Sequence, residues 1–239
     1  MKRISLFALL CFLCVPTLFS LSFTVGDKEI TLIDFPGYKH ADISVFQGVM
    51  ALTGVEGKAL LIPDTAFTPG LDDDGVYHDY FVVSIHPDMI LPFDLSTEDF
   101  ADFKEVMIEG LMQGSMDIDV DSLINDLQRL DFPEIEQTST PRIFINDTYR
   151  LGVSATTRWQ GTDKNILSLT SYVLVKGKIV WLSYYTEYAS VVDYENAVAT
   201  FERFSDNFIR ANEEEKKVHP LGEYFTSFQK DVGSGTKII

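Results

Sequence analysis

The stretch Tyr172-Val173-Leu174-Val175-Lys176-Gly177-Lys178-Ile179-Val180-Trp181-Leu182-Ser183-Tyr184 decides how this chain is read. Two runs rich in β-branched and aromatic residues meet at a Lys-Gly-Lys turn, which is the pattern of a β-hairpin. The predicted strands cover residues 166–175 and 179–188. Side chains alternate across a strand. Ile179, Trp181 and Tyr185 therefore share one face, and Val180, Leu182 and Tyr184 the other. Both faces are apolar or aromatic, so this strand is expected near the centre of a sheet and covered on both sides.

Working outward, a helix is predicted from Asp193. Tyr194, Ala197, Val198, Phe201, Phe204 and Phe208 form its broad apolar stripe. It is expected to fray at Asn212, with residues 213–239 as a tail. Upstream, alternating runs predict strands over 142–148 and 151–159. The connections among these late strands are too short for parallel crossovers, so the sheet should be antiparallel. A further strand is predicted over 77–85, with Phe81, Val83 and Ile85 on one face and Tyr80, Val82 and Ser84 on the other. Ser96 with Asp99 forms a capping-box signature. Phe100, Phe103, Val106, Met107 and Leu111 then recur at helical spacing as far as Gly114. A shorter helix is predicted over 121–130, with Leu123, Leu127 and Leu130 on one stripe. Nearer the start, residues 29–35 read as a strand stopped by Pro36-Gly37, and 58–62 as another stopped by Pro63. Residues 43–52 fit a short helix or a strand, and 64–76 a loop. The expected fold is α+β, an antiparallel sheet with helices packed on it and a long C-terminal helix.

The hairpin with its Lys-Gly turn, followed by a helix carrying Phe201, Phe204 and Phe208, resembles the end of the Mog1/PsbP-like fold. Ile33-Asp34-Phe35-Pro36-Gly37-Tyr38 is similar to that fold's opening strand and turn. The resemblance spans residues 29–210 as an order of elements, without a diagnostic motif. It implies a mostly non-catalytic group that includes photosystem accessory proteins, a small-GTPase binder and bacterial envelope proteins. No functional residue is transferred by it.

Residues 1–22 have the pattern of a cleavable export signal. Lys2 and Arg3 precede an apolar run from Ile4 to Leu21, with small residues at Ser20 and Ser22. The expected cut follows Ser22, leaving one α+β domain over 23–212 and the tail. An uncleaved signal would be the chain's only expected link to a membrane. The chain's two cysteines, Cys11 and Cys14, both lie in this segment. The exported part then has no thiol for a disulfide, a nucleophile or a zinc or iron–sulfur site. The formal charge of the whole chain is −17, and removal of Lys2 and Arg3 makes it more negative. Such a chain repels nucleic acid and anionic membrane surfaces. With 18 Phe and 10 Tyr it carries the apolar bulk of a folded domain rather than a disordered one.

Chemistry-bearing motifs are sparse. The sequence contains no G-x-S-x-G, H-E-x-x-H, P-loop or G-x-G-x-x-G. Asp72-Asp73-Asp74-Gly75 and the alternating Asp117, Asp119 and Asp121 suggest calcium loops, but counting from Asp117 the glycine and glutamate positions of an EF-hand fall on Ser122 and Gln128, and placing Gly75 at the glycine position puts Gly70, without a carboxylate, first. His78 and His86 would lie roughly 26 Å apart on a regular strand and cannot share a metal. The expected function is that of a non-catalytic periplasmic or secreted protein, without cofactor or metal. It would bind another envelope protein through a sheet edge or the tail. The alternative is a small-ligand or calcium binder using Asp72, Asp73, Asp74, His78 and Asp79 of the 70–79 loop with Trp181 and Tyr185. A third reading is a hydrolase assembled from His78, Asp79, His86 and Arg158.

Overall fold

The computed structural model describes residues 21–46, 50, 54–71, 77–113, 135–159 and 164–213. Residues 1–20 of the signal segment, Asp72, Asp73 and Asp74, the aspartates at 117–121, the predicted helix over 121–130 and the tail beyond Glu213 lie outside the described residues. Within them the strands are β1 (Ser22–Val25), β2 (Lys28–Thr31), β3 (Tyr38–Ala41), β4 (Glu56–Pro63), β5 (Gly70–Leu71), β6 (Tyr77–His78), β7 (Tyr80–Ile85), β8 (Ile135–Thr138), β9 (Arg142–Asn146), β10 (Arg150–Trp159), β11 (Asn165–Val175) and β12 (Lys178–Tyr188). Helices α1 (Thr97–Gln113) and α2 (Val191–Asn212) complete the set, with 3-10 turns at Ile43–Phe46 and Pro87–Met89.

Eight strands form one sheet in the order β3-β4-β7-β12-β11-β10-β8, with β9 also paired to β10. Each pairing in it is antiparallel. The protein is α+β, as its sequence pattern predicts, and β12 occupies the centre. The β11–β12 ladder runs unbroken from Asn165↔Tyr188 to Val175↔Lys178. Its two-residue turn is Lys176-Gly177, at φ 49° and 74°. Positive φ at both positions matches the right-handed twist of the flanking strands. The Gly177 position also admits no Cβ, which would meet Asp94 at 2.5 Å.

The lysines on either side of Gly177 are both engaged. Lys176 Nζ donates to the Glu29 carbonyl at 2.7 Å. Lys178 is only 2 % exposed; its ammonium donates to the carbonyls of Leu91 and Phe93, both at 3.0 Å. Asp94 at 3.1 Å and Asp27 at 3.4 Å balance its charge. A buried ammonium is tolerable only with such company.

The face of the sheet beneath α2 is the main core. Ala59 and Leu61 of β4, Phe81, Val83 and Ile85 of β7, Leu167, Leu169 and Val173 of β11, and Val180, Leu182 and Tyr184 of β12 pack against Ala197, Phe201, Phe204 and Phe208. The helical stripe and the strand alternation are the predicted ones. The N-cap of α2 is Ser190, whose Oγ accepts from the Asp193 N–H, while Asp193 accepts from the Ala189 N–H and the Ser190 hydroxyl. Asp193 is thus the acidic half of a capping box rather than the cap. At the other end Asn212 does not fray. It is buried, and its amide binds both backbone groups of Thr31, at 2.8 and 2.9 Å.

The opposite face is covered differently. The first turn of α1, started by the reciprocal Ser96–Asp99 capping box, seats Phe100 on Leu174 and Ile179. Val106, predicted on the buried stripe, is 69 % exposed, so the buried face is narrower than the sequence suggests. A separate cluster forms around Leu60, Ile62 and Val82.

Two predicted strands are interrupted. The 77–85 run breaks at Asp79 into β6 and β7, and the 29–35 run pairs with β1 only as far as Thr31, whose backbone groups are taken by the Asn212 side chain. That hairpin includes β1, whose first residue, Ser22, the sequence pattern assigns to the end of the leader.

Candidate functional site

The expected ligand residues separate onto the two faces of the sheet. Asp79 lies in the break between β6 and β7, on the α2 side. Its Oδ2 accepts the hydroxyl of Tyr184 at 2.6 Å and also that of Tyr38. The two hydroxyls lie 3.4 Å apart. Tyr184 stacks on Phe81 with ring centroids 4.3 Å apart, and Phe81 in turn contacts Phe204. Burial pushes both phenols well above the usual tyrosine value, and the adjacent Asp79 charge pushes the same way. Groups that hold their protons this firmly are poor bases and nucleophiles at neutral pH. Arg203 sits over the Phe35 ring, 5.1 Å from its centroid, so it closes the cluster without entering it. The arrangement ties β3 to the central strand across two intervening strands. His78, opposite Gly70 in the β5–β6 ribbon, lies one residue away in sequence.

Trp181 and Tyr185 project from the opposite face. Trp181 meets Tyr172 edge-on at 5.0 Å, and the His86 ring lies 5.8 Å away. Its Nε1 is buried and has no hydrogen-bond partner among the described residues. Tyr185 stacks on Tyr80 at 4.9 Å, and Tyr80 on Phe46 at 5.2 Å. Burial raises the Tyr185 phenol, and hydrogen bonds with Ser183 and Ser168 partly offset this. Thr170 and Ser183 pair across the β11–β12 ladder with hydroxyls 3.0 Å apart. Between the α1 contact and the Leu60 cluster, this face therefore carries hydroxyls flanked by aromatic rings. Thr170, Tyr172, Trp181, Tyr185 and Tyr80 are all partly exposed.

The hydrolase set is scattered. His86 stands beyond the far end of β7 from Asp79, roughly 20 Å along the strand. There its Nδ1 accepts the Asp88 N–H and caps the 3-10 turn. Arg158 is on β10, three strands across the sheet from β7. Among the described residues no group of three or more His, Cys, Asp or Glu is placed to hold a metal ion.

An open cavity of about 410 Å³ lies where the β9–β10 turn faces the end of α2, lined in part by Asp147, Tyr149, Arg150, Asp206, Arg210 and Glu213. The Arg150 guanidinium inside it is already engaged. It contacts Asp147 at 2.7 Å, Asp206 at 2.7 Å and Ser205 at 2.8 Å. This is a clamp between turn and helix.

Sequence reasoning did not find the Asp79–Tyr38–Tyr184 cluster or the Lys178 cage. A signal for the first was present: Tyr184 falls on the wholly apolar face of a central strand, and a buried phenol needs an acceptor.

No protein-family model matches this sequence, and neither does any curated protein. Among solved structures the chain is similar to a protein of unknown function from Pseudomonas aeruginosa, at 11 % identity, with 76 % of this chain and 90 % of that chain covered and a TM-score of 0.24. A likeness at that level carries no argument about function.

Proposed function

We propose that this chain is an exported, non-catalytic envelope protein that acts by binding another protein, and that it does so with the hydroxyl-and-aromatic face of its sheet. The observation that carries the reading is the partly exposed strip of Tyr172, Trp181, Thr170, Tyr185 and Tyr80 on the side opposite α2. Partly exposed rings beside the Thr170 hydroxyl suit a recognition surface better than a sealed core. The sheet edges suit one less well. Edge strand β3 has four residues and carries Lys39 and His40, while the far edge is divided between the short strands β8 and β9. Short, charged and broken edges oppose strand addition. A formal charge of −17 favours a partner surface of opposite sign. The N-terminal pattern of Lys2, Arg3 and the apolar run supports export, and the order of elements, which resembles the mostly non-catalytic Mog1/PsbP-like group, agrees with a binding role.

The test is affinity capture from an envelope extract of the source organism by three forms of the protein: wild type, Thr170→Lys on the strip, and Val192→Lys at the exposed start of α2 (Val192 is 61 % exposed). Capture of one stoichiometric partner should be lost with Thr170→Lys and kept with Val192→Lys. Equal capture by all three forms, or substrate turnover by the purified protein, refutes the proposal.

A further inference from the structure

We propose that His86 is a proton-sensitive switch at the Trp181 end of the strip, and that its protonated form weakens capture of a cationic partner; this rests on the binding reading above. Histidine is the side chain that changes charge between about pH 5 and pH 8. The His86 ring faces two groups of one residue that call for opposite protonation states. Its Nδ1 accepts the Asp88 N–H at 3.3 Å and so caps the 3-10 turn Pro87–Met89. A ring nitrogen that accepts carries no proton, so the neutral ring holds its proton on Nε2. The same Nδ1 lies 3.9 Å from the Asp88 carboxylate. When a proton binds there, Nδ1 becomes a donor. It gives up the backbone N–H and gains the carboxylate as an ion-pair partner. Little else has to move. The Asp88 side chain is 92 % exposed, so water takes up the freed N–H. The turn is still closed by the Met89 N–H on the His86 carbonyl at 2.9 Å and the Ile90 N–H on the Pro87 carbonyl at 3.1 Å. Protonation therefore changes the local charge and leaves the fold in place.

That charge arrives beside the strip. The His86 and Trp181 ring centroids are 5.8 Å apart, with the planes tilted by 33°, which is within reach of a cation–π contact. Among the described residues Asp88 is the carboxylate that pairs with His86. On β4, Glu56 lies opposite Ile85 and is tied to Lys58, and Gly54, next to Nε2, has no side chain to offer. Tyr172, edge-on to Trp181, stays neutral because burial raises its phenol above the usual value. The rest of the cluster around Trp181 is apolar. A partner drawn to a chain of formal charge −17 is cationic. A histidinium against Trp181 repels such a partner and takes a ring that the partner's own cations would use.

Two measurements test this, one without the partner and one with it. The chain has two tryptophans, so its NMR spectrum has two indole N–H signals, and Trp181→Phe identifies that of Trp181. Wild type and His86→Asn are titrated from about pH 8 to about pH 5. Asparagine keeps a side-chain acceptor for the cap and takes up no proton. The Trp181 signal should shift in a single one-proton step in wild type and stay in place in His86→Asn. A signal that stays in place in wild type, or moves equally in both, overturns the switch. Capture from the envelope extract is then compared at about pH 7.5 and about pH 5.5. Wild type should hold about two- to fivefold less partner at the lower pH, the worth of one exposed cation–π contact, and His86→Asn equal amounts at both. Equal capture by wild type at both, or an equal fall in the two proteins, overturns the control of binding. If neither protein captures a partner at the higher pH, the binding reading fails and the control of capture falls with it, while the Trp181 signal alone still decides the switch.

Discussion

On the α2 side of strands β7 and β12, Phe81, Val83, Val180, Leu182 and Tyr184 meet Phe201, Phe204 and Phe208. On the other side the alternating residues of the same two strands are Tyr80, Val82, Ser84, Trp181, Ser183 and Tyr185. One face is closed by rings packed edge to face and stacked, with centroids 4.3 to 5.4 Å apart. The other mixes hydroxyls with rings and is seated against α1 mainly through Phe100. The difference teaches how stability and the proposed recognition would be divided between the two faces. A single buried face with a long amphipathic helix supplies most of the apolar burial that holds a domain. The second face is then free to keep polar groups that would weaken a core.

The largest expected effect comes from breaking the closed face. Phe204→Ala removes a fully buried ring touching Phe35 and Phe81, and should destabilise the protein by about 3–5 kcal/mol. Phe103→Ala, the half-buried neighbour of Tyr172 on the second face, should lose only about 1–2 kcal/mol, since less apolar area leaves water there. Urea unfolding of the two variants measures both. Equal losses would mean that the two faces are not different in kind.

A middle-sized effect belongs to the polar knot at the margin of the closed face. Tyr184→Phe deletes one of two hydroxyls donated to the Asp79 carboxylate, and should cost about 1–2 kcal/mol at neutral pH. The knot also sets an alkaline limit. Burial raises Tyr38 and Tyr184 above their ordinary value of 10. Above that value the unfolded chain has lost these protons while the folded chain retains them, so the unfolded state binds fewer protons and stability falls as pH rises. The contribution is complete below about pH 10 and is lost progressively above it. Thermal melts from about pH 7 to about pH 11, followed alongside phenolate absorbance, should show ionisation of these tyrosines only with unfolding. The double variant Tyr38→Phe/Tyr184→Phe should show a shallower alkaline loss. An identical pH profile for that variant would show that the two phenols ionise freely in the native protein.

What the sequence discloses follows the same division. The closed face is written in period: strand alternation over 179–188 and the Phe201–Phe204–Phe208 stripe of α2 need only local spacing, and both appear where expected. The knot is not local, since Asp79 and Tyr184 are 105 residues apart and meet only because β7 and β12 are neighbours. Lys178 looks like a solvated turn residue because two of its acceptors are backbone carbonyls, which no side-chain pattern reveals, and its carboxylate partners Asp27 and Asp94 are distant in sequence. Asn212 looks like the start of a fraying end for the same reason. β1 is hidden by composition, because Leu21, Phe23 and Val25 extend the apolar run of the leader. The candidate ligand residues seemed to form one group because 70–79 and 181–185 both hold aromatic or acidic side chains; strand parity puts Asp79 with Tyr184 and sends Trp181 and Tyr185 through to the other side.

The smallest effect sharpens the comparison most. Thr170→Val replaces a hydroxyl by a methyl group of nearly the same shape and deletes the 3.0 Å contact with Ser183. In a sealed core this would strand the Ser183 hydroxyl, but Ser183 also bonds Tyr185 and Thr170 is partly open to water. The expected change in unfolding free energy is therefore within about 1 kcal/mol, measured by the same urea titration. Capture of the partner should respond more strongly, because a hydroxyl lost at a desolvated contact leaves the partner's own polar group unpaired. A variant that is barely destabilised yet binds poorly separates the two jobs of the sheet at a single side chain. One as destabilised as Phe204→Ala would place Thr170 in a second core, and the division between the faces would fail.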